Sequence, residues 1–252
     1  MPAAVHRMAL IVAAHLFAAG ASAQAADVAP TVLITSVAPG EEAMDRDAFG
    51  GNPLASALVK VAEDGHTAFR DALPRLLELT AAYSDELHHP VAGALADDGW
   101  RLGVPAPGER RVALVAVFAE YRLDTQLPSL PGAAFDAIRI SRALRSTGFA
   151  TEMVVARDSA ELRAALTAHG LRSADADTSL IYVTGHGVEH RGRIALLPGD
   201  YPARGGAAAL PTRAIMLDEI AGAGRAHQRN LLFYGGCRND PFAGAASAAG
   251  GY

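Results

Sequence analysis

Two apolar runs in this chain end on glycine-flanked polar residues. Leu180-Ile181-Tyr182-Val183 leads into Thr184-Gly185-His186-Gly187, and Leu231-Leu232-Phe233-Tyr234 leads into Gly235-Gly236-Cys237-Arg238. Unbroken apolar runs are what strands need when both faces of a parallel sheet are covered by helices. Open sheets of that kind place their sites just past the carboxyl ends of the strands. The two segments therefore predict an α/β chain with a histidine and a cysteine on one sheet edge. The flanking glycines let backbone approach a bound molecule closely. Taken singly, Cys237 reads as a buried thiol and His186 as a loop histidine. Taken together on neighbouring strand ends, they form a thiol nucleophile and its proton-transfer partner.

The rest of the sequence has the same alternation. Strand-like runs are expected at residues 32–37, 111–118, 149–155, 179–184, 193–197 and 230–234. Helices are expected at 52–61, at 67–83 with a kink at Pro74, and at 133–146, closed by Gly148. Asp158 with Glu161 three residues on has the capping-box pattern of a helix running to residue 169, and 215–221 reads as a further helix. Breakers at Pro90, Gly93, Gly99 and Gly103 mark connecting chain with one short strand near Val91. The predicted architecture is a three-layer sandwich, a mostly parallel central sheet with helices on both faces.

Composition narrows the function. Half of the 252 residues are apolar and 19% are charged, enough for a sizeable core. The formal net charge is −5, no basic run occurs, and Lys60 is the only lysine, which argues against nucleic acid as a partner. Cys237 is the only cysteine, so an internal disulfide and a cysteine-rich metal site are both excluded. At the amino terminus Arg7 precedes an apolar stretch at 8–19, and Ala21-Ser22-Ala23 follows as a small-x-small cleavage pattern. Residues 1–23 thus read as a secretory signal, and the chain as secreted or periplasmic. The stretch is too short to span a bilayer and no second one follows, so no membrane span is expected after signal removal; an uncleaved anchor is the alternative.

At residues 111–242 the chain resembles the caspase peptidase family, in particular bacterial caspase-like proteases and metacaspases. The resemblance rests on the apolar strand from Arg111, Tyr121, Leu130-Pro131 leading to Asp136-Ala137, and Gly185-His186-Gly187. It continues through Leu196-Leu197-Pro198 with Asp200, and Cys237-Arg238-Asn239-Asp240-Pro241-Phe242. His186 and Cys237 are 51 positions apart, against about 50 in caspases. Caspases continue past the cysteine into a small-subunit half of two strands and two helices, whereas 15 residues follow Cys237 here. Residues 31–40 and 51–58 resemble that small half instead. The expected organisation is a circular permutation: small-subunit-like half at 24–97, linker at 98–110, large-subunit-like half at 111–242 and a tail at 243–252. A remnant of an upstream tandem domain and a truncated gene are the alternatives.

The resemblance implies a cysteine endopeptidase acting on peptide or protein substrates, with Cys237 as nucleophile and His186 as the acid that protonates the leaving amine. It implies backbone N–H donors of Gly187 and Cys237 for the oxyanion. For substrate choice it points to Asp136, Thr184, Ser36 and Gly235. Asp136 matches an acid that metacaspases use to select Arg or Lys, while Gly235 stands where they have a second acid. Asp136 also reads as an acid at a helix amino terminus. No cofactor is implied; calcium dependence and oligomeric state are left open. Two rival functions remain: a catalytically inactive relative used for binding, and a zinc peptidase. His186-Gly187-Val188-Glu189-His190 fits the zinc motif H-x-x-E-H, which needs a helix that Gly187 and Gly192 oppose. Without it, Glu189 and His190 read as solvated turn residues.

Overall fold

The computed structural model describes residues 28–240, apart from 97, 123–126 and 203–205. The expected signal at 1–23, Pro241-Phe242 and the tail at 243–252 lie outside the described residues.

In chain order the elements are β1 (Thr31–Thr35), α1 (Pro53–Glu63), α2 (Phe69–Ala82), β2 (Val91–Ala92), β3 (Arg111–Val117) and α3 (Pro131–Ser146). They continue with β4 (Ala150–Val155), α4 (Ser159–Ser173), β5 (Thr178–Thr184), β6 (Gly187–His190) and β7 (Arg193–Leu196). Last come α5 (Gly206–Arg213), β8 (Ile215–Met216), α6 (Leu217–Ala221) and β9 (Arg229–Tyr234). Six strands form the central sheet in the order β2-β1-β9-β5-β3-β4, all parallel except β2.

The period of two along each strand divides the core between the two faces. Leu180, Tyr182, Leu231 and Phe233 pack with Leu54, Leu76 and Ile140 from α1, α2 and α3. Their neighbours Ile181, Val183, Leu232 and Tyr234 pack with Leu162, Leu166 and Ile220 from α4 and α6. Every residue of β3 and β5 is buried, which is why both read as unbroken apolar runs. α1 and α4 begin where their capping residues stand: the Asn52 side chain accepts from Leu54 N–H and that of Asp158 from Glu161 N–H, both at 2.9 Å. α2 continues through Pro74 as a single helix.

The front segment is part of this sheet. β1 runs parallel to β9 with Thr31 opposite Asn230 and Thr35 opposite Tyr234, and β2 closes the edge antiparallel to β1. Residues 31–92 and 111–234 thus share one sheet and one core. The 98–110 connection is packed down, with Trp100 and Leu102 buried.

Three regions differ from expectation. Residues 187–190 form β6, paired antiparallel with β7. The hairpin turns at Arg191 and Gly192, whose φ angles of 52° and 73° are those of a two-residue turn matched to strand twist. α5, with Pro211 inside it, was not expected from its alanine-rich sequence. Residues 215–221 divide into β8, which adds to β7, and a short α6.

Candidate active site

β5 and β9 are adjacent in the sheet, so residues just past their carboxyl ends emerge side by side. His186 lies two residues beyond β5 and Cys237 three beyond β9, and both line one cavity of about 480 Å³. Glycine is required around them. A side chain on Gly187 would start 1.8 Å from the Tyr234 hydroxyl and 2.9 Å from the Cys237 carbonyl oxygen.

His186 is held from two sides. Its N–H donates to the Tyr121 hydroxyl at 2.8 Å, and the Tyr121 ring meets the imidazole edge-on at 4.6 Å. Its Nε2 lies 2.8 Å from the Pro128 carbonyl oxygen. A carbonyl only accepts, so Nε2 carries the proton and Nδ1 is left with the lone pair. Burial lowers the imidazole's pKa, partly offset by Pro128 and Asp45. Cys237 is about half-buried, and burial raises its thiol. Its Sγ accepts from Ala43 N–H at 3.3 Å, which favours the thiolate, while the Glu42 charge disfavours it. Burial thus favours the neutral form of both the Cys237 thiol and the His186 imidazole, whose lone pair is on Nδ1.

β6 runs alongside the cysteine. Its edge away from β7 carries Glu189 N–H, which donates to Asn239 O at 3.0 Å, and the period of two places Gly187 N–H on that same edge. The loop between β1 and α1 clamps the segment from the other side: Arg238 N–H donates to Glu41 O at 2.8 Å and Gly40 N–H to Arg238 O at 3.0 Å.

Of the expected substrate-contacting residues, Thr184 and Gly235 line the cavity. A Cβ on Gly235 would lie 2.8 Å from Thr184 Oγ1 and 3.0 Å from the Tyr182 hydroxyl, so these two side chains fill the space a second acid would need. Ser36 does not reach the cavity. It is fully buried and bonded to His88 and Asn52. Asp136 is not at the cavity either, nor at the head of α3. It is fully buried, 2.7 Å from the Arg139 guanidinium, and accepts from Asn52 N–H at 3.0 Å and from the Tyr182 hydroxyl at 3.2 Å. Burial, only partly offset by Arg139, Asn52 and Tyr182, pushes its carboxyl up to about 7.

Asp45 takes the place expected of Asp136. Its carboxylate accepts from Gly132 and Ala133 N–H at 2.9 and 3.0 Å, capping α3 from 87 positions away, and it lines the cavity with Glu42, Ala43 and Met44. The only sequence sign of this loop was its length after a strand end, closed by Pro39-Gly40. Glu189 and His190 are not solvated turn residues. Glu189 pairs with Arg238 at 2.8 Å and His190 with Asp240 at 3.0 Å, both partly buried. The H-x-x-E-H motif runs into a strand, so its histidines lack the shared helix face that zinc needs. Among the described residues no cluster of three metal-ligating side chains occurs, and no helix is long and apolar enough to cross a membrane.

A family model, that of the caspase domain, matches residues 110–248, a span that contains both His186 and Cys237. Among curated proteins, none matches the chain.

Proposed function

The chain belongs to the caspase domain family of cysteine peptidases, and from that premise we propose that it is an endopeptidase working through Cys237 and His186. In this reading His186 Nδ1 takes the thiol proton as Sγ attacks the substrate carbonyl carbon. The oxyanion is met by Gly187 and Cys237 N–H, donors fixed before the charge develops. Nδ1 then returns its proton to the departing amine as the C–N bond breaks, and water hydrolyses the thioester. The observation that carries the proposal is the joint placement of the two side chains in one cavity, with Pro128 holding the proton on Nε2 and leaving Nδ1 basic.

For the residue before the cleaved bond we favour Arg or Lys, read by Asp45 and not Asp136. The carboxylates of Glu42 and Asp45 line the cavity and no arginine or lysine does so among the described residues, which disfavours an acidic side chain. Asp45 uses two of its roughly four acceptor positions on α3, and its one guanidinium neighbour, the exposed Arg46, stands off at 3.9 Å, a loose pair that a bound arginine would replace.

The front segment plays the small-subunit part in permuted order. Its support is the parallel pairing of β1 with β9, its two strands and two helices, and the loop after β1 that supplies one wall of the cavity. Export through the 1–23 signal completes the reading, and a mature amino terminus at Gln24 is its check.

A binding role without turnover is the second reading, favoured by Ala43, which already contacts the sulfur. Peptides varying the residue before the cleaved bond separate the two. Cleavage by the parent and none by Cys237→Ala supports the peptidase; cleavage by neither supports the binder.

A further inference from the structure

His88 is buried in the coil after α2, far in sequence from both halves of the candidate dyad. Its Nε2 lies 2.9 Å from Met44 N–H, its Nδ1 2.9 Å from Ser36 Oγ, and its own N–H donates to Ser84 Oγ at 2.9 Å. A backbone N–H only donates, so Nε2 is the bare nitrogen and Nδ1 carries the proton. The proton on Nδ1 goes to Ser36 Oγ, and the Ser36 hydroxyl then donates to Asn52 Oδ1 at 3.2 Å. Asn52 Nδ2 donates to Met44 O at 2.8 Å and Gly235 O at 3.0 Å. Met44 is thus held by its N–H and its C=O at once, through one chain of bonds in which every donor direction is fixed. The preceding residue, Ala43, places its N–H on Cys237 Sγ at 3.3 Å.

The geometry points to His88 as a positioning residue: with Ser36 and Asn52 it holds the Ala43–Met44 segment against Cys237 and so fixes where the sulfur sits. This rests on Cys237 being the reactive thiol. The titratable groups acting on His88 are Glu41 and His89, which bond each other and act on it with opposite sign; Ser36, Ser84 and Asn52 are neutral. Burial keeps the imidazole neutral, the form that can accept from Met44. A proton on Nε2 would set two donors face to face and release the segment.

The test compares His88→Phe, which fills the site without an acceptor, with His88→Gln, which keeps one. In the parent, iodoacetamide meets a half-buried sulfur. Release of the segment in His88→Phe uncovers the sulfur and relieves the burial that raises its thiol. Alkylation of the only cysteine is expected to quicken severalfold while kcat for peptide falls about tenfold and KM stays within about twofold. His88→Gln should recover most of both changes. Amide exchange of Ala43 and Met44 should rise in His88→Phe while that of β5 and β9 does not. A folded His88→Phe with the parent's alkylation rate and kcat overturns the inference, as does a His88→Gln equally impaired. If His88→Phe does not fold, Ser36→Ala serves: a smaller change in the same direction supports the role, and none overturns it. The alkylation and exchange measurements do not need turnover. If the parent cleaves no peptide, the expected changes in those two still uphold the inference; their absence in an active peptidase removes it alone.

Discussion

Each end of the central sheet buries a carboxylate against an arginine, and the two pairs are built differently. At the amino edge, where the connecting chain enters β3, Glu109 meets Arg111 at 2.7 Å. Burial would raise the Glu109 carboxyl, but donors from Arg111, Ala106, Trp100 and Thr178 surround it and together hold it at about 2. Arg111 in turn donates to the carbonyls of Arg101, Leu102, Val104 and Thr147 and lies over the Trp100 ring. At the carboxyl edge, Asp136 beside Arg139 is met by fewer donors and burial wins, so its carboxyl rises to about 7. The first pair fastens the connecting chain to the sheet. The second lies beneath the cavity wall, where Tyr182 touches it from one side and Asn52 from another. Charge is saturated where the sheet needs holding and left poised where the chemistry is proposed.

That contrast separates effects on activity from effects on stability. The largest change is expected at the carboxyl edge: Cys237→Ala should remove turnover, by about a thousandfold or more, with the unfolding midpoint unchanged. His186→Ala should lose a comparable factor, because members of one catalytic unit are not additive. Peptide hydrolysis and thermal melts on the same samples check both. Next comes the amino edge. Glu109→Ala leaves Arg111 buried without its counter-charge and should cost about 3–5 kcal/mol in denaturant unfolding. The protein that stays folded should keep kcat/KM within about threefold; a large activity loss there would break the division. Asp45→Asn should reduce cleavage after Arg by about tenfold relative to cleavage after Leu, the size of one charge-assisted hydrogen bond. An unchanged ratio would remove Asp45 from substrate selection.

The smallest effects are expected in the pH dependence of stability. Glu109 is lowered in the folded state, so its contribution is present above the unfolded value of 4.5 and is lost as pH falls toward about 2. Asp136 is raised, so its contribution is full below 3.8 and is lost as pH rises through about 7. The two edges therefore respond to acid with opposite sign. Urea unfolding at pH 4, 5.5 and 7.5 should show Asp136→Asn gaining on the parent as pH rises. A constant difference would mean that Asp136 stays ionised beside Arg139.

The same division governs what was legible in the sequence. The strands β1, β3, β4, β5 and β9 stand within two residues of their expected bounds; in β3, β5 and β9 double-sided burial writes itself as an apolar run, whereas the edge strand β4, half-exposed, is legible from its β-branched residues after Gly148. β6 and α5 were not legible: a four-residue strand between glycines has the composition of a turn, and α5 is mostly small residues around a proline. His186, Cys237, Thr184 and Gly235 were placed at the cavity by their position at or just past strand ends. Asp136 was misplaced because sequence gives a residue's offset along a helix but not which neighbour its side chain meets. Asp45, His88 and Ser36 each have a partner 44 to 88 positions away, contacts that no local pattern records.

In the proposed enzyme an uncut chain, with its front segment forming one wall, carries a reactive Cys237 served by His186. A peptidyl chloromethyl ketone with Arg next to the ketone, followed by intact mass and peptide mapping, tests it most directly. One adduct is expected, on Cys237, in a chain with no internal cleavage, formed much faster than in His186→Ala and competed by peptide substrate. No adduct on the folded parent, equal labelling of His186→Ala, or labelling only after internal cleavage would contradict it.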